Sequence, residues 1–227
     1  MSTIKKAVQQ RSTFDWRGRL HLGTYTTTEA AWLIETTRQM VVTWRRIAYR
    51  HETAPAQTAS ANPILLSYVQ LVETAVAITL RGSGVSFADI FGVNTRLREH
   101  TDNAYPFTDS AMSDKWLPTI QNVLMIANNH AQHGWKLALQ HRLDQFDYEE
   151  GWALRWYPRG RNSIVLLDPR IAFGAPTIAG TGVALHIIQE RLASGETPAM
   201  IAADFGLTLG QIKTVSALTQ SLTQRAA

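Results

Sequence analysis

The chain has 227 residues and a formal net charge of +4, with 45% hydrophobic and 18% charged residues. This composition excludes a disordered chain and is sufficient for a sizeable buried core. The absence of cysteine excludes disulfides, cysteine metal ligands and cysteine nucleophiles, and it suits a cytoplasmic protein.

Positive charge is concentrated at the two ends of the chain. Residues 1–60 contain nine Lys/Arg and four Asp/Glu, residues 61–150 contain six and ten, and residues 151–227 contain seven and four. A basic surface attracts nucleic-acid backbones because binding releases their counterions. The alternative is that the excess of positive charge only improves solubility. We expect no secretory signal and no membrane-spanning segment, because the most apolar run, 63–80, is interrupted by polar residues.

Hydrophobic periodicity and turn signals predict a mainly α protein with a small β-sheet. The chain divides into four segments: a basic N-terminal arm (1–22), a winged helix-turn-helix domain (23–110), a central α+β segment (111–167) and a C-terminal helical domain of helix-turn-helix outline (168–227).

The N-terminal arm is expected to be poorly ordered or adaptable. It interleaves basic and aromatic side chains, which suit a phosphate backbone or a partner surface. These residues are Lys5, Lys6, Arg11, Phe14, Trp16, Arg17 and Arg19. A frayed terminus anchored by its two aromatic residues is the alternative.

Two short helices are predicted at the start of the second segment. Thr26 and Glu29 have the spacing of a capping box, in which a hydroxyl and a carboxylate satisfy each other's backbone N–H groups. Thr36 or Thr37 then starts a second helix, from Arg38 to about residue 49. A short helix, a tight turn and a second helix rich in Arg and Gln meet the requirements of major-groove recognition.

The second helix supplies the predicted DNA-binding residues. Arginine can pair bidentately with guanine and glutamine with adenine, and a helix N-terminus favours phosphate. The predicted contacts are Thr37, Arg38, Gln39, Arg45, Arg46 and Arg50. A helical hairpin that serves only packing is the alternative.

This segment resembles the N-terminal helix-turn-helix of MerR-type regulators. The matching residues are Tyr25, Glu29-Ala30-Ala31, Leu33 and Trp44-Arg45. Glu35 departs from the pattern, since a turn glycine is usual there, and Val42 and Thr43 stand where relatives often carry arginine. A similar arrangement precedes the C-terminal domain of long VapB-type antitoxins.

Further helices are expected up to residue 110. Residues 51–63 are polar and are interpreted as the wing of a winged helix-turn-helix or as a plain linker. Residues 64–80 are predicted to form one broadly apolar helix that is buried and in part a dimer contact. Ser86 is predicted to cap the next helix, 87–100.

The central segment is predicted to contain both strands and a helix. Residues 115–117 and 122–126 are interpreted as strand-like, and residues 130–146 as helical. Residues 152–157 and 164–167 are predicted strands around a turn. The resulting small sheet would join the two helical ends and is one candidate for a toxin-binding surface.

The chain shows no convincing catalytic or metal-binding motif. His130, His133, His141 and Asp144 share one predicted helix, but such a spacing is a weak indication of a zinc site. A second acidic group, Asp144, Asp147, Glu149 and Glu150, is interpreted as a solvated face near a helix end. We therefore expect no enzyme activity, no cofactor and no metal.

Three helices with threonine caps are predicted near the C-terminus. Thr181, Thr197 and Thr208 are the expected caps, and Gly195 and Gly206 end the first two helices. Because the last two helices also have a helix-turn-helix outline, they provide a possible second DNA or partner contact. The residues concerned are Thr208, Gln211, Lys213 and Thr214.

The same region resembles domain-of-unknown-function family four-three-three, whose prokaryotic members are commonly regarded as antitoxins. The resemblance is carried by Gly174-Ala-Pro176-Thr-Ile178-Ala-Gly180-Thr181, Gly195, Ile201-Ala202, Asp204-Phe205 and Ile212. Gly182 departs from the pattern, because an arginine usually follows the Gly-Thr pair.

Together the two resemblances imply a cytoplasmic type II antitoxin. Its partners would be a VapC-type ribonuclease toxin with a PIN domain and double-stranded operator DNA, through which it represses its own operon. A homodimer is expected, because such operators are symmetric. A stand-alone MerR-like regulator without a toxin, and a protein whose helix-turn-helix units only pack, are the alternatives.

Overall fold

A computed structural model describes residues 16–49, 65–101, 103–127 and 134–226. It confirms a mainly α protein with small antiparallel sheets. The α-helices of the described ranges are α1 (Thr27–Ile34), α2 (Arg38–Ala48), α3 (Tyr68–Gly82), α4 (Phe87–Thr101), α5 (Leu117–Ala127), α6 (Gly134–Leu143), α7 (Leu185–Ala193), α8 (Pro198–Phe205) and α9 (Leu209–Ala226). None of them is long and apolar enough to cross a membrane.

The strands pair two by two, and each pair is antiparallel. The strands are β1 (Tyr25–Thr26), β2 (Leu65–Leu66), β3 (Phe146–Glu149), β4 (Trp152–Trp156), β5 (Val165–Leu166) and β6 (Thr177–Ile178). Strand β1 pairs with β2, β3 with β4, and β5 with β6. An isolated bridge between Trp156 and Leu167 connects the end of β4 to the chain after β5.

The first two helices begin where their caps predict. Thr26 and Glu29 form the capping box, with the Glu29 carboxylate 2.8 Å from the Thr26 nitrogen. The Thr37 hydroxyl accepts a hydrogen bond from the N–H of Met40 and starts α2 at Arg38.

Part of the predicted N-terminal arm is ordered, which corrects the expectation for its last residues. Trp16–His21 form a 3-10 helix whose Leu20 is buried in the core. Arg17 forms an ion pair with Glu150. Residues 1–15, with Lys5, Lys6 and Arg11, lie outside the described residues.

The predicted helix 64–80 begins later than expected. Leu65 and Leu66 form β2, and α3 starts at Tyr68 because Ser67 and Gln70 make a capping box that ends the extended segment. The following helix, α4, is capped by the Ser86 hydroxyl as predicted. The predicted wing, 51–63, lies outside the described residues.

The strand prediction for residues 115–126 is wrong, because most of this stretch forms α5. Its buried residues Trp116, Ile120 and Leu124 recur every four positions, which is the helical and not the strand period. The predicted helix up to Phe146 ends at Leu143, and Phe146 starts β3.

The C-terminal caps at Thr197 and Thr208 are confirmed, and Gly206 ends α8 with a left-handed backbone (φ 63°). The cap at Thr181 is wrong. Its hydroxyl donates to the carbonyl of Ile178 within a turn, and α7 begins at Leu185 after Ala184.

One hydrophobic cluster contains side chains from both ends of the chain. Leu33 of α1, Leu154 of β4 and Ile212 of α9 belong to it and are completely buried. A second cluster surrounds α3 to α6, and α2 contributes Val41 to the first and Trp44 to the second. Helix α2 therefore packs against both hydrophobic clusters.

A buried hydrogen bond joins the N-terminal helices to the C-terminal part. The Tyr25 hydroxyl donates to the carbonyl of Gly174 over 2.7 Å. A Cβ atom at Gly174, whose φ is 82°, would also lie 2.7 Å from the Tyr25 oxygen. The close approach therefore requires glycine at this position.

We predict that Gly174→Ala destabilises the protein by about 1–3 kcal/mol more than Gly180→Ala, because only Gly174→Ala adds overpacking to backbone strain. Gly180 has a similar φ of 78° but no atom within 4 Å of an added Cβ. Urea unfolding of both variants measures the difference. Equal losses of stability would show that the Tyr25 contact does not restrict this position.

Candidate nucleic-acid interface

One side of α2 is exposed and basic. Arg38, Gln39 and Arg46 are exposed on it, whereas Val41 and Trp44 on the opposite side are buried. The helix contains three arginines and no acidic residue. This arrangement leaves a positively charged helical face of the width that a major groove accepts.

The N-terminus of α2 borders a shallow pocket. The pocket has a volume of about 470 Å³ and is lined by residues 35–38, together with Thr28, Ala31 and Trp32 of α1. Arg38 lies at its edge, and its Nε donates to the Thr27 hydroxyl over 3.1 Å. Helix N–H groups and a guanidinium at one opening can accept a phosphate group.

The predicted contact residues differ in how available they are. The Gln39 amide makes only a 3.5 Å contact with the Thr43 hydroxyl, so it can turn towards a base edge. Arg46 is exposed, whereas Arg45 is half-buried and its Nε has no hydrogen-bond partner among the described residues. Arg50 lies outside the described residues.

The turn between α1 and α2 depends on a residue from the central segment. Glu35 adopts a left-handed conformation (φ 64°, ψ 43°), which glycine usually supplies. Arg159 contacts this turn three times. Its Nη1 lies 2.5 Å from the Glu35 carboxylate, its Nη2 donates to the Trp32 carbonyl, and its guanidinium lies 5.0 Å from the Trp32 ring centroid.

Sequence reasoning did not find Arg159, because 124 residues separate it from Glu35 and no local pattern marks the pair. The only sequence signal was the unusual glutamate at a glycine position. The structure shows that a distant arginine compensates for that substitution by neutralising its charge and capping the end of α1.

Two of the four acidic residues at 144–150, Asp147 and Glu149, do not belong to the solvated helix face that we expected, whereas Asp144 and Glu150 are exposed. Asp147 and Glu149 lie on β3 and pair with arginines, with Arg161 at 2.7 Å from Asp147 and Arg170 at 2.8 Å from Glu149. Arg170 also pairs with the buried Asp168, and hydrogen bonds to that carboxylate raise the pKa of Arg170. These ion pairs join β3 to the chain that follows β4, and Arg155 of β4 pairs with Asp147 and Glu149 across the hairpin.

The parts of the chain that the structure describes contain no candidate metal site. Within them, no group of three or more His, Asp or Glu side chains is placed to hold an ion. His130 and His133 lie outside the described residues, so the weak zinc pattern is not assessed by this observation.

The second candidate surface for DNA or a partner, on α9, uses most of its polar side chains within its own helix. Thr208 and Gln211 form a capping box for their own helix, with 2.8 Å between the Thr208 nitrogen and the Gln211 Oε1. The Thr214 hydroxyl donates to the carbonyl of Gly210. Lys213 is exposed and is the only charged residue of the stretch 209–218.

Comparisons with known proteins give a family match for the C-terminal part and a similar fold for the chain. Residues 165–217 match the family described as protein of unknown function, DUF433. The whole fold is similar to the X-ray crystal structure of Rv2018 from Mycobacterium tuberculosis, with a TM-score of 0.69, 19% identity, and coverage of 87% of this chain and 98% of that one. No curated protein matches the sequence.

We predict that Glu35→Gly is about 1 kcal/mol more stable than Glu35→Ala. Both changes remove the ion pair to Arg159, but only glycine relieves the left-handed strain. Thermal or urea unfolding of the two variants provides the comparison. Alanine and glycine variants of equal stability would contradict a strained turn at this position.

Proposed function

We propose that this protein is a DNA-binding antitoxin of a type II toxin–antitoxin system. The observation that carries the DNA-binding part is the exposed face of α2, with Arg38, Gln39 and Arg46 and no acidic residue in the helix. The antitoxin part is supported by the match of residues 165–217 to DUF433, because members of that family are commonly regarded as antitoxins.

In this proposal α2 enters the major groove of the operator. Gln39 and Arg46 face base edges, while Arg38 and the N-terminus of α2 contact the phosphate backbone. A homodimer would place two copies of α2 in successive major grooves, about one helical turn apart. Because phosphate contacts release counterions, affinity should fall steeply as salt rises.

The proposed second partner is a VapC-type toxin, a ribonuclease with a PIN domain. Binding would occlude or distort the acidic metal site of the toxin, which is a stoichiometric act and requires no catalytic group in the antitoxin. Release of the toxin would then restore ribonuclease activity. Repression of the operon through α2 would couple expression of both proteins to the amount of free antitoxin.

A stand-alone MerR-like regulator without a toxin is the second candidate. The basic face of α2 favours it equally, since both functions need the same groove contact. The two differ only in the protein partner, so an experiment with the partner separates them.

We predict that replacing Arg38 and Arg46 together by glutamine weakens binding to the protein's own promoter fragment by more than about tenfold at moderate salt. Fluorescence anisotropy with the duplex measures the affinity. Arg96→Gln is the control for a lost exposed charge, because Arg96 lies on α4 and pairs only with Glu99 among the described residues.

A different pattern of results would assign DNA binding to the helix-turn-helix outline formed by α8 and α9. If Lys213→Gln weakens binding and the double variant does not, α9 reads the DNA instead of α2. If none of the variants changes a measurable affinity, or no salt-sensitive binding occurs, the DNA-binding part of the proposal is wrong.

Co-expression with the neighbouring gene of the operon tests the antitoxin part. We expect the neighbour to encode a PIN-domain ribonuclease whose toxicity disappears when this protein is present and which purifies with it. The variant that lacks Arg38 and Arg46 should still neutralise the toxin. A neighbour that is harmless alone, combined with intact promoter binding, would favour the stand-alone regulator.

A further inference from the structure

A second cavity lies where the N-terminal helices meet the C-terminal part. It has a volume of about 280 Å³ and opens between α1 and α7. The residues that line it include Trp32 of α1, Leu185 of α7 and Pro176 from the segment before β6. Because Trp32 and Leu185 are each only 3% exposed, these lining side chains are firmly packed.

The floor of this cavity contains two aromatic side chains whose positions are restrained. The hydroxyl of Tyr25 donates a hydrogen bond to the Gly174 carbonyl, which fixes the direction in which this side chain extends. Trp32 carries the guanidinium of Arg159, which is itself bonded to the Trp32 carbonyl. A preformed aromatic floor favours a flat apolar ligand because little side-chain entropy is lost on binding.

Glu29 is the carboxylate among the residues that line the cavity. None of them is lysine or arginine, and the other polar side chains include those of Thr24, Gln189 and the exposed His186. Glu29 uses Oε2 for the capping box, whereas Oε1 makes no hydrogen bond within the described residues. Burial and then the charge of Glu29 raise the pKa of Tyr25, so this negative charge acts at the floor.

The carboxylate and the aromatic floor together determine the charge and the shape of the ligand that the cavity can bind. A carboxylate oxygen that has no hydrogen-bond partner among the described residues repels anions and accepts hydrogen bonds from the N–H groups of a cation. The volume lies just below the usual range of about 300–1,000 Å³ for ligand pockets, which limits the ligand to about one ring with a short substituent.

We propose that the cavity between α1 and α7 binds a small organic cation, in which an amidinium, guanidinium or ammonium group is attached to a flat apolar body. The cationic group pairs with Glu29 Oε1 at the rim, and the apolar body lies on Tyr25 and Trp32. The ligand contacts both the N-terminal and the C-terminal part of the chain. This site does not depend on the proposed function.

Benzamidine and benzamide form a matched pair of probes for the full-length protein. They have nearly the same size and shape, but only benzamidine is charged. Titration calorimetry or NMR titration should show saturable binding of benzamidine, at least about tenfold tighter than benzamide, because only the former makes a charge-assisted hydrogen bond.

Glu29→Gln is the decisive variant, because glutamine at this position retains the capping box and removes the charge. It should reduce the preference for benzamidine to less than about twofold. Glu99→Gln, an exposed acid on α4 that forms an ion pair with Arg96, removes the same charge elsewhere and should leave the preference unchanged.

Three results would overturn the site. These are the absence of saturable benzamidine binding, equal affinity for the two probes, and a preference that persists in Glu29→Gln or disappears in Glu99→Gln. The thermal midpoint of each variant shows that it is folded, and none of these readouts requires DNA or a toxin. The outcome is therefore separate from that of the proposed function.

Discussion

A close approach of Tyr25 to Gly174 holds the start of the N-terminal helices against the C-terminal part. The hydrogen bond between them is buried and spans 149 residues of sequence. It is possible because Gly174 has no side chain and adopts a positive φ. The contact places β1 against the C-terminal part, and β1 leads directly into the cap of α1. The same hydrophobic cluster contains Leu33 of α1 and Ile212 of α9, so this hydrogen bond acts together with apolar packing between the two parts.

Two side chains hold α2 in position below and before its exposed face. Trp44 is completely buried beneath it, and Arg159 binds the turn before it. A recognition helix needs such rigidity, because base contacts require side chains that are placed to within a fraction of an ångström. The central segment thus contributes to the candidate interface through Arg159, whereas the matched region 165–217 uses Thr208 and Gln211 to cap its own helix.

Local signals predicted much of the fold, and distant contacts account for the errors. The caps at Thr26, Thr37, Thr197 and Thr208 were predictable because a cap involves only three or four consecutive residues. The strand β2 was missed because it forms only by pairing with β1, about 40 residues earlier. Arg159 was missed for the same reason. The residues of α2 in the candidate interface could be named from the sequence. The exposure of each arginine depends on the packing of the helix, and Arg45 is half-buried.

The N-terminal helices and the C-terminal helices share one hydrophobic core, which positions α2. Native-state hydrogen exchange, measured over increasing urea concentrations, tests whether the two parts open together. The slowest amides of α1 and α9 should merge into one opening reaction, with the same free energy and the same dependence on urea. A separate opening of α9 at markedly lower free energy, with α1 still protected, would contradict a shared core.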